Sequence, residues 1–335
     1  MNLLIGTSEG VVVVGPSGQA EPANGLPGQC VRALRQVGGS VLAGGDAGVY
    51  RTDDGGRSWQ PTGVSGKTVW EIAVAPADAR QVYVGVQPAA LYRSRDGGET
   101  WAEVESMGRF PTADRWGLPN SDLGARARAI VVDPADPARY WVGLEVGGVL
   151  ATEDDGATWT CDVPLRNPDI HVMAQDPSRA DVFYATTGFG RVYQPEPREQ
   201  RVAGLIGTED GGRTWRYLWE GVQPTYTRPM CIDPRPPHAL TVACAPTAFA
   251  SITDPGGAQA MLYQSDDGGR TWRSLGDADH SPSEANLLAV APSPDAAGAV
   301  IVGTETGEVW RVTPQAEWTL LASGLPAVQA LLPLA

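Results

Sequence analysis

Arg32, Arg128 and Arg228 each open a short apolar run: VRALRQV from Val31, ARAIVVDP from Ala127 and TRPMCIDP from Thr227. Laid on the same frame by their turn residues, the chain's other runs of this kind hold Trp70, His171, Asn286 and Gln329 at the matching position. Two residues further on, all seven are apolar: Leu34, Ile72, Ile130, Met173, Met230, Leu288 and Leu331. A guanidinium is a planar fork that meets a carboxylate or phosphate through paired hydrogen bonds. Three of them on one rim would hold an anion. His171 adds a group that can move protons near neutral pH, with Tyr226 and His280 behind it as further acid/base candidates. The competing expectation is that each arginine pairs with a local acid such as Glu71 or Asp169, and that the rim only fills with water.

These seven positions meet only if the runs share an axis, and a second repeat supplies the reason to think so. The phrases TDDGGRSW (Thr52–Trp59), SRDGGETW (Ser94–Trp101), TEDDGATW (Thr152–Trp159), TEDGGRTW (Thr208–Trp215) and SDDGGRTW (Ser265–Trp272) are one unit copied five times. The third-position Asp never varies, nor does the Gly two residues after it. That Gly implies a positive φ or a backbone approach with no room for Cβ. The Gly before it gives way to Asp155 in the third copy, and Asp also tolerates the left-handed region. An Asp opening such a turn accepts bonds from the turn's own N–H groups, and the closing Trp covers it. The phrase reads as a hairpin staple.

The pattern S/T-x-D-x-G-x-T/S-W resembles the Asp-box (BNR) repeat of sialidase-like β-propellers, a superfamily that includes glycosidases, sortilin-type receptors and photosystem II assembly factors. The resemblance implies an all-β propeller in which the boxes are structural and lie away from the active face. It does not extend to sialidase activity. The Arg-Ile-Pro signature is missing, Arg228-Pro229 in YTRPM is a different motif, and the Tyr/Glu nucleophile pair and acid/base Asp have no assignable positions.

Ahead of each box the chain repeats an apolar strand, a turn with Asp-Pro or Ala-Pro, and a second strand, so four short strands form each unit. Five units start near Val31, Val69, Ala127, His171 and Met230. A sixth starts near Asn286 with a decayed box, TETGEVW, at Thr304–Trp310. VQALLPL at Val328 copies the innermost strand VRALRQV, while LLIGTSEGVVVV near the N-terminus copies middle strands. The two ends therefore predict a seventh blade that closes the ring across residues 1–335 as one domain. A capped solenoid is the structural competitor.

Strand order puts the boxes on one face and the long insertions on the other, including Glu105–Ala125, Thr187–Ala203, Ala245–Ala260 and Gly276–Ala285. Long loops on one face of a rigid scaffold are where binding residues gather. Phe110, Trp116, Phe189, Tyr193, Asp254 and Asp279 lie in these insertions or beside Tyr226 and His280.

Composition narrows the partners. The net charge is −14, from 25 basic and 39 acidic residues, and Lys67 is the sole lysine. A chain this acidic, without a basic cluster, is unsuited to nucleic-acid phosphates or anionic membranes. Its N-terminus lacks a charged leader, and the four cysteines show neither CxxC nor metal spacing, which fits a cytoplasmic setting with no metal and no cofactor. The expected function is binding of a small anionic or sugar-like ligand at the channel mouth. Hydrolase (glycosidase-like) or lyase chemistry stays open, and the alternative is a protein-interaction scaffold on the same face.

Overall fold

The computed structural model describes residues 2–15, 18–23, 25–117, 124–189 and 203–334. Seven four-stranded antiparallel sheets form a ring, each sheet one blade of a β-propeller. Inner strands of successive blades pack on one another around the channel. Blades 1 to 6 run from innermost to outermost strand in chain order, beginning with Ala33–Val37, Thr68–Val74, Arg126–Val132, Ile170–Gln175, Tyr226–Ile232 and Leu287–Pro292. Blade 7 joins the ends in the order Val328–Leu334, Asn2–Thr7, Gly10–Val14, Ala20–Pro22.

The second strand of each blade is sandwiched between neighbouring blades and so reads as a continuous apolar run. Ser40–Gly45, Phe183–Thr187, Leu240–Ala245 and Val300–Thr304 are buried along their whole length. Close approach sets its small residues. A Cβ on Gly85 would lie 2.2 Å from the carbonyl oxygen of Ala127 in the next blade, so only glycine lets the two strands meet there. Outermost strands such as Gln60–Gly63 and Ala102–Glu103 are short and exposed, which limits edge pairing with other chains.

Each box closes the turn from third to outermost strand. In the first copy Asp54 Oδ1 accepts from the N–H groups of Arg57 and Ser58 at 2.9 and 3.0 Å, and Oδ2 accepts from the Ser58 hydroxyl at 2.6 Å. The Thr52 hydroxyl donates to Asp54 and accepts from the Gly56 N–H at 3.0 Å. The indole N–H of Trp59 donates to the Gly56 carbonyl at 2.9 Å. Gly56 has φ 92° and a Cβ there would strike Leu4 at 2.3 Å, so both sequence-level reasons for an invariant glycine hold. Asp155 adopts φ 59°, the left-handed conformation that lets it replace glycine.

The staple role bears on stability in two ways. Asp210→Ala removes an acceptor shared by Thr208, Arg213 and Thr214. The cost should be about 1–2 kcal/mol in urea denaturation, since water can reach part of the turn. It should leave the opposite face unchanged. The hydrogen bonds from Ser58 also hold the Asp54 carboxyl down to about 2, and Asp210 and Asp267 sit at about 2 where their turn bonds outweigh burial. A depressed carboxylate contributes stability above its unfolded value, near 4, that is lost as pH falls through the folded value. The denaturation midpoint should therefore drop between about pH 4 and pH 2, and less steeply in Asp210→Asn. A midpoint flat across that window would contradict the staple role.

Candidate functional site

The inner strands lose register just where they enter the channel. Pairing with the second strand skips Trp70 in blade 2, Arg128 in blade 3, His171 in blade 4, Arg228 and Pro229 in blade 5, Leu288 in blade 6 and Gln329 in blade 7. A bulge of this kind bends the strand and re-aims the unpaired side chain. In blade 1 Arg32 takes the equivalent place, one residue ahead of its strand, with its N–H on the Gly44 carbonyl at 3.0 Å.

Every one of these residues lines one cavity of about 410 Å³, and apart from Pro229 there is one from each blade. Six are those expected from the sequence: Arg32, Trp70, Arg128, His171, Arg228 and Gln329. The seventh is a correction. Asn286 does not line the cavity; Leu288 does, because blade 6 is displaced by two residues from the sequence alignment. The alignment anchored on Ala291-Pro292, but the turn is made by Ser293, whose N–H meets the Ala299 carbonyl as that of Asp133 meets Arg139 in blade 3. Pro292 lies inside the strand. Asn286 instead lines a small neighbouring pocket with Tyr226 and Arg228, where its backbone and side chain both donate to Glu305 and its amide reaches Ser251 at 2.9 Å.

Arg35 and Arg126 join the three ring arginines, so five guanidinium side chains line the cavity above an apolar floor that includes Met230, Ala289, Ala330 and Leu331. Trp70 organises one side. The guanidinium carbons of Arg32, Arg126 and Arg128 lie 4.7, 4.4 and 5.1 Å from the indole ring centroid. Its own N–H is held by Gln87 at 3.2 Å. Each cation thus gains the face of a fixed ring.

The carboxylates stand behind the arginines. Arg32 donates to Asp46 at 2.6 Å, Arg35 to Glu71 at 2.7 Å, and Arg126 at 2.7 Å and Arg128 together to Glu145. Burial works against the Glu145 charge, but Arg128, His171 and Arg126 outweigh it and hold this carboxyl below the usual range. Glu71 is pushed up by burial, partly offset by Arg35. Arg228 is different. It has no carboxylate partner among the described residues, its Nε is buried without a hydrogen bond, and its guanidinium lies 6.0 Å from the Tyr226 ring centroid.

His171 is 1% exposed. Its Nδ1 faces the Thr227 carbonyl at 2.7 Å and its Nε2 faces Asp169 at 3.3 Å. Nδ1 is thus held by the backbone, while the Nε2 contact is an ion-pair distance without a hydrogen bond. Tyr226 packs on it with ring centroids 5.3 Å apart, and burial pushes the phenol up while Arg228 pulls it back. His280 is not brought to the mouth. It stacks on Trp318 at 4.8 Å, meets Trp310 edge-on and bonds Asp277. Phe110 stacks on Trp116 and Phe189 on Tyr226, whereas Tyr193 lies outside the described residues.

Glu145, Asp169 and His171 bring one ligand atom each within 4.8 Å of one another, the spacing of a metal set. Both Glu145 oxygens already accept from guanidinium groups, which would repel a cation at that point.

Sequence reasoning missed Arg126, Asp46 and Glu145, although a signal existed. Two residues beyond Gly44, Gly85, Gly143, Thr186, Ala243, Gly303 and Gly6 of the second strands stand Asp46, Gln87, Glu145, Gly188, Ala245, Glu305 and Ser8 around the ring. In blades 1 and 3 an acid there meets the ring arginine. In blade 5 the position is Ala245, which is why Arg228 has no carboxylate opposite it.

The BNR/Asp-box repeat profile matches residues 92–103, the third strand and box of blade 2. Among curated proteins, the Photosystem II assembly protein Ycf48 of Synechococcus sp. (strain JA-2-3B'a(2-13)) is 28% identical over 160 residues, covering 43% of this chain and 47% of the relative. The chain thus spans about half the length of the curated relatives it matches. Among solved structures, the GH74 xyloglucanase from Xanthomonas campestris aligns with a TM-score of 0.68 at 20% identity, over 96% of this chain and 52% of that one. YCF48 bound to D1 peptide aligns with a TM-score of 0.54 at 15% identity, over 87% of this chain and 81% of that one. At these identities the likenesses establish the fold. No helix among the described residues is long and apolar enough to cross a membrane.

Proposed function

We propose, from the premise that this chain is a seven-bladed β-propeller built on Asp-box repeats, that its channel mouth binds a small anionic ligand through its arginines. The observation that carries the reading is Arg228: a partly buried guanidinium, facing a shared cavity, with alanine where blades 1 and 3 supply an acid. Keeping a cation desolvated without a counter-charge costs stability, and an incoming anion recovers it. Hydroxyl groups of a sugar-like acid would be met by Gln329 and the remaining guanidinium N–H groups. The reading is one of binding, because His171 does not stand among exposed groups, being 1% exposed with Nδ1 held by the Thr227 carbonyl, and His280 is not among the residues lining the mouth. Four free cysteines fit a cytoplasmic setting.

A protein-interaction role has one specific observation in its favour. Phe249, which precedes the short helix Ala250–Thr253, and Ile252 within it are 65% and 83% exposed. Ser251 ties this helix to Glu305 and Asn286 on the same face as the mouth. The two roles separate experimentally. Calorimetric titration with inorganic phosphate and with carboxylates at low ionic strength should show binding to the parent. Arg228→Gln should weaken it by about 1.5–3 kcal/mol, and Arg32→Gln and Arg128→Gln by similar or smaller amounts. Lysine at these places should rescue only part of the affinity, since it lacks the fork. Anion binding that is absent, or indifferent to all three changes, would remove the ligand reading and leave the apolar helix as the better guide.

A further inference from the structure

Resting on that anion-binding reading, we infer that the ligand is an amphiphilic monocarboxylate. Its carboxylate sits at Arg228 and its short hydrocarbon body lies against the apolar arc of the cavity formed by blades 5 to 7.

The inference comes from the lopsided wall of the cavity. Blades 1 to 3 present Arg32, Arg35, Glu71, Arg126 and Arg128, grouped about Trp70. Acids meet these cations: Asp46 pairs with Arg32, Glu71 with Arg35, and Glu145 with Arg126 and Arg128. Asp169 adds a further carboxylate, within 4.8 Å of the ligand atoms of Glu145 and His171. This arc supplies its own counter-charges.

The opposite arc is built differently. Along each inner strand, the second residue after the rim position is apolar. Leu34, Ile72, Ile130 and Met173 stop short of the cavity, whereas Met230, Val290 and Leu331 line it. The hydrocarbon floor therefore opens only on blades 5 to 7. At the rim itself blade 6 offers Leu288, where the other blades hold Arg, Trp, His or Gln. Leu288 and Val290 are only partly buried, so both keep apolar surface open to the cavity.

Arg228 stands at the edge of this arc, in the blade next to Leu288, and has no carboxylate partner among the described residues. A wholly hydrophilic anion would satisfy the guanidinium and leave the hydrocarbon wall against water. A carboxylate with a hydrocarbon tail meets the cation and covers Leu288, Val290 and Leu331 together. A cavity of about 410 Å³ also has the size of a small-molecule site.

Straight-chain monocarboxylates from acetate to hexanoate, titrated calorimetrically into the full chain, test this. Gluconate serves as the polyhydroxylated acid, 1-hexanol as the neutral counterpart and inorganic phosphate as the reference anion. Affinity for the parent should rise about ten-fold or more from acetate to hexanoate, part of the roughly four-fold per methylene that full burial would give. Hexanoate should also bind about ten-fold or more tightly than gluconate or hexanol. In Leu288→Ser the rise should shrink to about three-fold or less, with Val290→Thr serving if that variant does not fold. Arg228→Gln should weaken hexanoate about ten-fold or more. So should Ala245→Glu, which sets a carboxylate at the blade 5 position equivalent to Glu145.

Affinity indifferent to chain length would overturn the amphiphilic ligand while leaving the anion site standing, as would phosphate binding with no response to any acid of the series. A rise that survives both apolar changes would overturn the placement along blade 6. Hexanol binding as tightly as hexanoate, or hexanoate binding untouched by Arg228→Gln, would overturn the carboxylate at Arg228. Absence of binding by phosphate and by every acid would overturn the anion reading itself.

Discussion

A chain ending at Pro326 should fail to fold cooperatively. The segment removed contains the innermost strand of blade 7, Val328–Leu334, which pairs with Asn2–Thr7 in the register Leu4↔Leu332 and Ile5↔Leu331. Without it the N-terminal strands have no inner neighbour, and blades 6 and 1 lose the strand between them at the channel. Val328 is fully buried and Leu331 nearly so, packed with Leu3, Ile5 and Ile301. Burying two such side chains contributes about 1.5–3 kcal/mol each. That is already a large part of a typical net stability of about 5–15 kcal/mol. The opened ring would also present unpaired strand edges, so aggregation should accompany the loss. Thermal melting and size-exclusion chromatography check this. A truncated chain that stays monodisperse and melts within a degree or two of the parent would contradict ring closure.

Glu145→Gln should have the next largest effect, with two opposite signs. Glu145 is the sole carboxylate bonded to Arg126 and Arg128 among the described residues. Its loss leaves a concentrated positive site beside His171, which should cost about 3 kcal/mol in urea denaturation, the lower end for breaking a buried ion pair. The same change should strengthen anion binding, because the mouth gains one uncompensated charge. Phosphate added to the denaturation series should therefore stabilise Glu145→Gln more than the parent, as expected for a ligand that binds the folded state alone. A variant of unchanged stability with an unchanged phosphate response would mean that the carboxylate sets neither the fold nor the site.

The fold was legible because its signals are local and repeated. The invariant Asp and Gly of each box answer to one turn geometry, and the two chain ends carry complementary halves of one blade. The site was legible only as far as the alignment of inner strands held. In blades 2 to 5 it held because Ala75, Asp133, Asp176 and Asp233 each make the turn five residues after Trp70, Arg128, His171 and Arg228. It slipped in blade 6, where Pro292 inside the strand mimics a turn proline and Ser293 makes the actual turn. Strand periodicity alone cannot detect such a shift, since moving by two residues keeps every side chain on its own face.

The counter-charges were harder to read. Glu145 and Asp46 lie on the second strand or just beyond it; the observed register pairs Glu145 with Arg126, and the side-chain contacts bring Glu145 to Arg128 and Asp46 to Arg32. Arg126 escaped notice because it precedes the bulge. In a regular strand Arg126 and Arg128 would share a face at the spacing of alternate residues; here both reach Glu145 and Trp70 across the bulge. The expected pairing of ring arginines with Glu71 or Asp169 gave way to others, with Glu71 taken by Arg35 and Asp169 facing His171.

The most direct test of an anion-binding mouth is anomalous diffraction from crystals equilibrated with selenate, a tetrahedral dianion whose selenium can be located without bias. The account predicts a selenium peak inside the ring, with selenate oxygens within hydrogen-bonding distance of the Arg228 guanidinium, and loss of that peak in Ala245→Glu. Peaks confined to the outer wall of the blades, with only water beside Arg228, would contradict it.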